Sequence, residues 1–237
     1  MNYIMTNFGE VFIDRQNIGT YNLQDAKEGS MIGDLESKNP EQQNRETREK
    51  LLDEISGEVR ICKKCRLHEH ARNGVPGEGD PNAKFFFIGE APGAKEDIMG
   101  RPFVGQAGKL LDSLLAGVGI RREDVFIGNI VKHRPPNNRK PKPDEIAACT
   151  PYLECQIRII KPIIIITLGQ FSTQYIFSKT GEEFKTITEA SGKIYEKNLF
   201  GFPTRIMPTF HPASALYNPK YKIALKEHFE RIKSGLE

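Results

Sequence analysis

The chain has 237 residues, of which 27% are charged and 38% hydrophobic, and its formal net charge is +3. This composition is typical of a soluble globular protein, and no apolar run approaches the roughly 18 residues that a membrane helix needs. The N-terminus has no basic segment followed by an apolar one, so we expect no secretion signal and a reducing, cytoplasmic setting.

The charge is unevenly distributed along the chain. Residues 1–44 contain three basic and seven acidic side chains, a net charge of −4, so the remaining residues carry +7. We interpret residues 1–44 as an acidic, flexible N-terminal extension and residues 45–237 as the folded domain. A basic domain that follows an acidic N-terminal extension is typical of a protein that binds a polyanion.

In chain order, a helical pattern over residues 44–62 opens the folded domain. Four continuous apolar runs follow at 84–90, 124–131, 162–169 and 204–212, and each predicts a strand that is buried on both faces of a parallel sheet. Helical patterns at 105–120, 143–160 and 170–177 separate these runs. Alternating strands and helices predict an α/β domain with right-handed crossovers.

Polar or small residues follow all four predicted strands. The strands end in "GEAPG", "NIVKHRPPNN", "LGQ" and "FHPAS". Ligands of open parallel sheets bind beyond the carboxyl ends of the strands, so we expect these segments to converge on one pocket.

Two of these segments, and a third that lies between them in the sequence, contain groups that could carry chemistry. The segment "GEAPGAKED" supplies the carboxylates of Glu90, Glu96 and Asp97. Phe103 precedes a helix and is either a core anchor or a stacking platform for a planar ring. His211 follows the last strand and is either a helix cap or a donor to a developing anion.

The cysteines suggest a metal or cluster site. A C-x-x-C pair, Cys62 and Cys65, is more typical of metal binding than of a disulfide in an intracellular protein. Cys149 and either Cys155 or His133 would complete a set of four ligands. On one regular helix, residues 149 and 155 would lie about 120° apart, which is poor geometry for a shared site unless Pro151 breaks the helix.

Three segments together resemble one known family. They are "GEAPGAKEDIMGRPFVGQAGKLLD", "NIVKHRPPNNRKPKPDEIAAC" and "FHPAS", and in this order they are similar to the family 4, iron–sulfur uracil-DNA glycosylases. The resemblance covers about residues 58–233. It implies a three-layer α/β/α sandwich with a central four-stranded parallel sheet. It also implies hydrolysis of the N-glycosidic bond of deoxyuridine in DNA, which releases uracil and leaves an abasic site.

The resemblance also implies roles for individual side chains. Phe103 matches the aromatic that stacks on the flipped uracil, and Asn129 matches the amide that reads its edge. His211 matches the histidine that stabilises charge on uracil O2. Ala91 stands where a better-known branch has its catalytic Asp, so the candidates for activating water are the following three residues: Glu90, Glu96 and Asn138.

The remaining substrate-binding candidates are Gly89, Ala91 and Leu216. Leu216 or its neighbour Tyr217 would fill the gap left by the flipped base. His133 stands where family members usually carry a cysteine, sixteen residues before Cys149. The resemblance implies a [4Fe–4S] cluster, which we assign to the following ligands: Cys62, Cys65, His133 and Cys149. Cys155 is an alternative fourth ligand, and zinc is an alternative occupant.

The expected partner is uracil-containing DNA, bound by a monomeric enzyme at the prokaryotic nucleoid, without a membrane. We expect its phosphates to contact four basic side chains: Lys132, Arg134, Arg139 and Lys140. Residues 1–44 are a conceivable tether to a replication clamp. The main alternative function is a uracil-DNA binding or covalent capture protein with little turnover, because His133 lies in the region where a related branch has a nucleophilic histidine. A further alternative is a zinc-stabilised module with another nucleotide hydrolase activity.

Overall fold

A computed structural model of the protein describes residues 40–234. The chain divides into two units between Thr47 and Arg48. Of the first unit only Pro40–Thr47 is described, as the beginning of helix α1, which spans Pro40–Arg60. The predicted boundary at residue 44 therefore falls inside a helix. The rest of the proposed extension and clamp tether, residues 1–39, lies outside the described residues.

The second unit is built on a mixed sheet of six strands in the order β1-β3-β2-β4-β6-β5. The strands are β1 Glu78–Gly79, β2 Phe85–Gly89, β3 Phe126–Asn129, β4 Ile164–Leu168, β5 Tyr195–Leu199 and β6 Phe202–Thr209. The central four are parallel, as predicted from the four apolar runs. The prediction of a purely four-stranded sheet was incomplete, because β1 and β5 add antiparallel edges.

Helices connect the strands and continue beyond them. After α1 they are α2 Ala94–Met99, α3 Gln106–Gly117, α4 Pro143–Ile160, α5 Gln170–Ser178, α6 Ile187–Ala190, α7 Pro212–Ala215 and α8 Pro219–Ser234. Three short 3₁₀ segments lie at Arg66–Glu69, Arg122–Asp124 and Pro136–Asn138. None of the helices described between residues 40 and 234 has the length and hydrophobicity needed to cross a bilayer.

The predicted three-layer sandwich is confirmed by how successive strand residues divide between the two faces. Phe86 and Ile88 of β2 belong to a buried cluster with Leu153 of α4 and Phe177 of α5. Phe85 and Phe87 point to the opposite face and join the side chains that α3 and α8 bury there. Because each side chain of the strand has a helix to pack against, the sheet is covered on both faces.

Helix α4 determines where the cysteines lie. Pro143 is its first residue, and the carboxylate of Glu145 accepts the backbone N–H of Lys142 at 2.8 Å, which caps the helix. The helix continues through Pro151 to Ile160 without ending. Residues 149 and 155 therefore occupy different faces of one continuous helix, as the spacing argument required.

Candidate active site and cysteine cluster

A cleft of about 340 Å³ opens at the carboxyl ends of the parallel strands. It is lined by residues from three strand ends and the loops beyond them: Glu90, Ala91, Pro92, Gly93, Glu96, Phe103, Ala107, Asn129, Pro135, Asn138, Arg139, His211 and Ala213. The predicted convergence is thus confirmed for the ends of β2, β3 and β6. The end of β4 contributes no lining residue, and instead Gly169 packs close behind the Cβ atom of His211.

Phe103 forms one wall of the cleft in a conformation that few aromatic residues adopt. Its φ of 50° is left-handed, and only 5% of its surface is exposed. Its ring faces that of His211 at 5.7 Å between centroids and 29° between planes. A bulky residue stays in this backbone region only where its surroundings hold it.

Two charged side chains hold the Phe103 loop. The Oε1 atom of Glu96 accepts the backbone N–H groups of Val104 at 2.9 Å and Gly105 at 2.7 Å. On the other side of the loop, the guanidinium of Arg122 donates to the carbonyl of Phe103 at 3.2 Å and to that of Pro102 at 2.7 Å. Carbonyl and amide groups of the same strained turn are therefore fixed by opposite charges.

Asn129 ends β3 and turns its amide into the cleft. The residue is 2% exposed, and its Oδ1 atom is one of two buried side-chain polar atoms without a hydrogen-bond partner among the described residues. Gly89 lies beside it at the end of β2, where a Cβ atom would overlap Asn129 Oδ1 and come within 2.7 Å of the Phe103 ring. The absence of a side chain at Gly89 thus lets the Phe103 ring and the unpartnered amide oxygen of Asn129 pack close to the end of β2, where both residues line the cleft.

His211 precedes α7 and caps it with its ring. Its Nδ1 accepts the backbone N–H of Ala213 at 3.1 Å, so the proton of the neutral imidazole lies on Nε2. Burial lowers the pKa of His211 to about 4, against a smaller opposite effect from Glu96. The cleft therefore contains a neutral imidazole whose N–H is a donor.

Glu90 and Asn138 face the cleft with different constraints. The Glu90 carboxylate has no hydrogen-bond partner among residues 40–234, and burial raises its pKa, an effect that Lys140 opposes. Asn138 has a left-handed φ of 53°, and its Oδ1 accepts Arg134 Nε at 2.8 Å, which leaves its amide N–H groups available. Of the two glutamates predicted to activate water, Glu90 is the one whose oxygens are free.

The predicted DNA-contacting residues lie around the cleft or outside it. Leu216 and Tyr217 do not line the cleft and are 39% and 86% exposed. Arg139 lines it, but its guanidinium also pairs with the buried carboxylate of Glu145 at 2.6 Å. Lys140 is exposed, and its ammonium lies 5.1 Å from the ring centroid of Phe171.

Three of the four cysteines are neighbours. Burial raises the pKa of Cys149 to about 12, and negative charge on Cys62 or Cys65 would raise it further. The ionisable groups around Cys155 are instead Arg158, Glu154, Glu58 and Lys64, with no other cysteine among them. Cys155 therefore stands apart from the group of Cys62, Cys65 and Cys149, which we call the cysteine cluster.

His133 is buried beside this cluster but faces other groups. Burial lowers its pKa, and the charged groups that act on it are His68 and Asp97. Across residues 40–234, no group of three or more His, Cys, Asp or Glu side chains is gathered as a ready-made metal site. The donor chemistry nevertheless fits a thiolate-held centre, because Cys149 Sγ already accepts the backbone N–H of Lys132 at 3.1 Å.

Arg122 was missed by sequence reasoning, and the role predicted for Lys132 was wrong. Arg122 holds Phe103 from nineteen residues away. Lys132 was expected to contact phosphates, but it is fully buried between Asn129 and Gln156. The sequence shows only that both are basic. Their partners are brought to them by the fold, so no local pattern marks them.

Comparisons with known proteins agree with this geometry. The family model described as the uracil DNA glycosylase superfamily matches residues 76–236. A type-4 uracil-DNA glycosylase of Saccharolobus solfataricus is 53% identical over 186 residues, which cover 78% of this chain and 86% of that protein. A type-4 uracil-DNA glycosylase of Thermotoga maritima is 45% identical over 193 residues, which cover 81% and 97%.

A more distant relative is the type-5 uracil-DNA glycosylase of Thermus thermophilus. It is 32% identical over 122 residues, which cover 45% of this chain and 55% of that protein. The type-4 relatives match at higher identity and over more of the chain, so the resemblance carried by the three sequence segments is confirmed. The chain belongs to the uracil-DNA glycosylase superfamily and, within it, to the type-4 uracil-DNA glycosylases.

Proposed function

We propose that this protein removes uracil from DNA by flipping the base into the cleft and hydrolysing its N-glycosidic bond. The observation that carries the proposal is that the ring of Phe103 and the unpartnered Oδ1 of Asn129 line the same cleft. Such a cleft suits a flat base that presents an N–H donor at its edge. A base inside a duplex cannot reach it, so the nucleotide must first leave the stack.

Recognition in this proposal combines stacking with one amide. Phe103 stacks on the flipped base, while Asn129 Oδ1 accepts the N3–H of uracil and its N–H group donates to O4. Ala91 lines the cleft and contributes no functional group. Leu216 or Tyr217, both exposed, fills the space that the base vacates in the duplex. Arg134 and Lys140 contact the phosphates beside the flipped nucleotide.

The chemical step divides between a donor and a base. As the glycosidic bond breaks, negative charge develops on uracil O2, and the Nε2–H of His211 donates to it. A neutral imidazole suits this role because its proton is retained on Nε2 by the N–H of Ala213 at Nδ1. Glu90 takes a proton from the attacking water, and the free N–H groups of Asn138 orient that water.

The cysteine cluster supports a [4Fe–4S] centre in this proposal. Cys62, Cys65 and Cys149 supply three thiolates, and His133 the fourth ligand after its ring turns toward them; zinc is the alternative occupant. When bound, the centre cross-links the segment after α1 to helix α4. Three thiolates fit either occupant, so the ultraviolet-visible spectrum and the metal content decide between them.

The test of the activity uses a labelled oligonucleotide with a single uracil. Incubation with the protein, then alkali and a denaturing gel, is expected to give strand cleavage at the uracil position and free uracil by chromatography. A thymine-containing strand is the control. An intact strand, or a band that survives denaturation as a protein adduct, would contradict the proposal and support a binding or capture protein.

The test of the centre uses matched cysteine variants. We expect iron, sulfide and an absorbance band near 400 nm in the purified protein, with loss of the band in Cys62→Ala and Cys149→Ala. Cys155→Ala is the matched control, since Cys155 stands apart from the cluster. Retention of the centre in His133→Ala together with its loss in Cys155→Ala would overturn the ligand assignment.

A further inference from the structure

Lys132 is buried in a way that lysine side chains seldom are. None of its surface is exposed, whereas lysine is almost never fully buried unless it is paired. Its ammonium donates to two neutral oxygens, the carbonyl of Asn129 at 3.1 Å and Oε1 of Gln156 at 2.8 Å. Among residues 40–234, no carboxylate is paired with it.

The backbone of the same residue contacts the cysteine cluster. The N–H of Lys132 donates to Cys149 Sγ at 3.1 Å, and its carbonyl accepts the N–H of Val75 at 2.7 Å. Gln156 continues the connection, because its Nε2 donates to the carbonyl of Pro76 at 2.8 Å. One residue thus joins the end of β3, helix α4 and the segment before β1.

This arrangement bears on how Asn129 is held. Asn129 is the last residue of β3, and beyond it the N–H groups of Ile130 and Val131 donate to the carbonyls of Gly89 and Glu90. The carbonyl of Asn129 is fixed by the Lys132 ammonium. Since backbone and side chain of one residue rotate together, releasing this carbonyl would let the amide that faces the cleft move. A displacement of about 1 Å in a substrate-positioning group can cost roughly 100-fold in rate.

The charge of Lys132 gives a reason for the contact with Cys149. A buried ammonium is costly unless negative charge or complete hydrogen bonding replaces water. Its two acceptors are neutral, and a thiolate at Cys149, which the backbone of the same residue contacts, would add compensating negative charge. A metal-bound Cys149 is permanently such a thiolate.

We propose that Lys132 is a positioning residue that couples the cysteine cluster to the base-reading amide of Asn129. This inference rests on the function proposed above, because it assigns Asn129 the recognition of the base. It predicts that disturbing Lys132, or the sulfur that its backbone contacts, displaces the Asn129 side chain and weakens base recognition more than the chemical step.

The test compares Lys132→Met, which keeps the length of the side chain and removes its donor, with Lys84→Met as the matched control. Lys84 is exposed and precedes β2, at the edge of the sheet opposite the cleft. The first measurement is the side-chain amide resonance of Asn129 in ¹H–¹⁵N spectra, identified as the signal absent from Asn129→Asp. The second is KM and kcat on uracil-containing DNA, and the third is metal content per chain.

For Lys132→Met we expect a displaced Asn129 resonance, a KM raised by at least tenfold, a kcat changed less than KM, and unchanged metal content. Cys149→Ala is expected to displace the same resonance, and Cys155→Ala to leave it in place. If Lys132→Met does not fold, Gln156→Leu is the second variant, because it removes one of the two acceptors of the Lys132 ammonium. We expect it to displace the Asn129 resonance and to raise KM, both by less than Lys132→Met.

An Asn129 resonance and a KM in Lys132→Met that match those of Lys84→Met would overturn the coupling. So would loss of kcat at unchanged KM, because that result would place Lys132 in the chemical step. If the unmodified protein released no uracil while the resonance still moved, the proposed function would fail and the coupling would stand.

Discussion

The Oε1 atom of Glu96 and the backbone N–H of Gly105 are joined by a hydrogen bond of 2.7 Å, and the same oxygen accepts the N–H of Val104. Both amides belong to the turn that carries Phe103 at a left-handed φ. Glu96 therefore uses its charge to hold the stacking ring, whereas Glu90 retains a free carboxylate in the cleft. The two glutamates predicted to activate water have different environments.

For Glu96→Ala we expect kcat/KM to fall about 10- to 100-fold, mainly through KM, because hydrogen bonds to a charged acceptor contribute about 1.5–3 kcal/mol. Glu96→Gln keeps an acceptor oxygen and should lose less. Glu90→Gln is the comparison, with a loss mainly in kcat. Steady-state kinetics on a uracil-containing oligonucleotide distinguish the two patterns. A loss of kcat at constant KM in Glu96→Gln would return Glu96 to the chemical step.

Arg122 holds the same turn from its carbonyl side and is itself paired with Glu78 at 2.8 Å and Asp112 at 2.7 Å. Arg122→Ala would leave two carbonyls and the Asp112 carboxylate without their donor, and Glu78 with Arg101 alone. We expect it to lower the free energy of unfolding by about 2 kcal/mol and to raise KM. The neighbouring Arg121→Ala is the control.

Within residues 40–234, Arg121 pairs only with Glu123 and Asp124 at the surface, and 69% of its side chain is exposed. Its loss should therefore leave stability and KM nearly unchanged. Chemical denaturation and KM should be measured on both variants. Equal effects of the two substitutions would show that Arg122 does not hold the Phe103 turn.

Much of the fold could be predicted because its central strands are continuous apolar runs, a local signal. "FFFIG" and "IIITL" have a helix on either side of each strand, so every position is apolar or neutral. Strand β5 was missed because an edge strand alternates, and "YEKNL" has no run to detect. Helix α8 was not predicted either.

The candidate site was predictable to the extent that its residues follow strand ends. Asn129 is the last residue of β3 and His211 follows the end of β6 by two residues, so topology alone brings them together. Whether the Glu96 carboxylate is free, and what Lys132 contacts, depend on loop paths and on residues far away in sequence. These relationships have no local signal. The roles assigned to the site residues remain predictions for the experiments described.

The pKa of His211, lowered to about 4, gives a pH dependence of stability with a definite sign. An unfolded histidine titrates near pH 6.5, so between about pH 6.5 and 4 the unfolded chain binds the proton more readily than the folded one. The contribution of neutral His211 to the free energy of unfolding is fully present above about pH 6.5. It is lost as the pH falls from about 6.5 to 4, by an amount on the order of 3 kcal/mol.

The measurement is urea denaturation of the protein and of His211→Gln from pH 4 to pH 8. The difference between the two curves isolates the histidine, and it should grow as the pH falls below 6.5. In the pH profile of kcat/KM, His211 should give no inflection near pH 6.5. The raised pKa of Glu90 should shift the acidic inflection of this profile to a pH above the usual range of a glutamate. Parallel denaturation curves would show that His211 titrates normally.

Gly108 and Gly117 stand in the same helix, α3, and allow a matched test of the Phe103 turn. A Cβ atom at Gly108 would overlap the carbonyl oxygen of Phe103, which is backbone and cannot swing aside, whereas one at Gly117 would meet nothing within 4 Å. Gly108→Ala should therefore push the turn out of place, lower the melting temperature and raise KM by at least tenfold.

Gly117→Ala should stabilise the protein by about 0.5–1 kcal/mol, because alanine is the better helix former, with KM unchanged. An increase in KM for both variants would trace the effect to the helix as a whole, and no increase for Gly108→Ala would show that base binding does not depend on the position of Phe103.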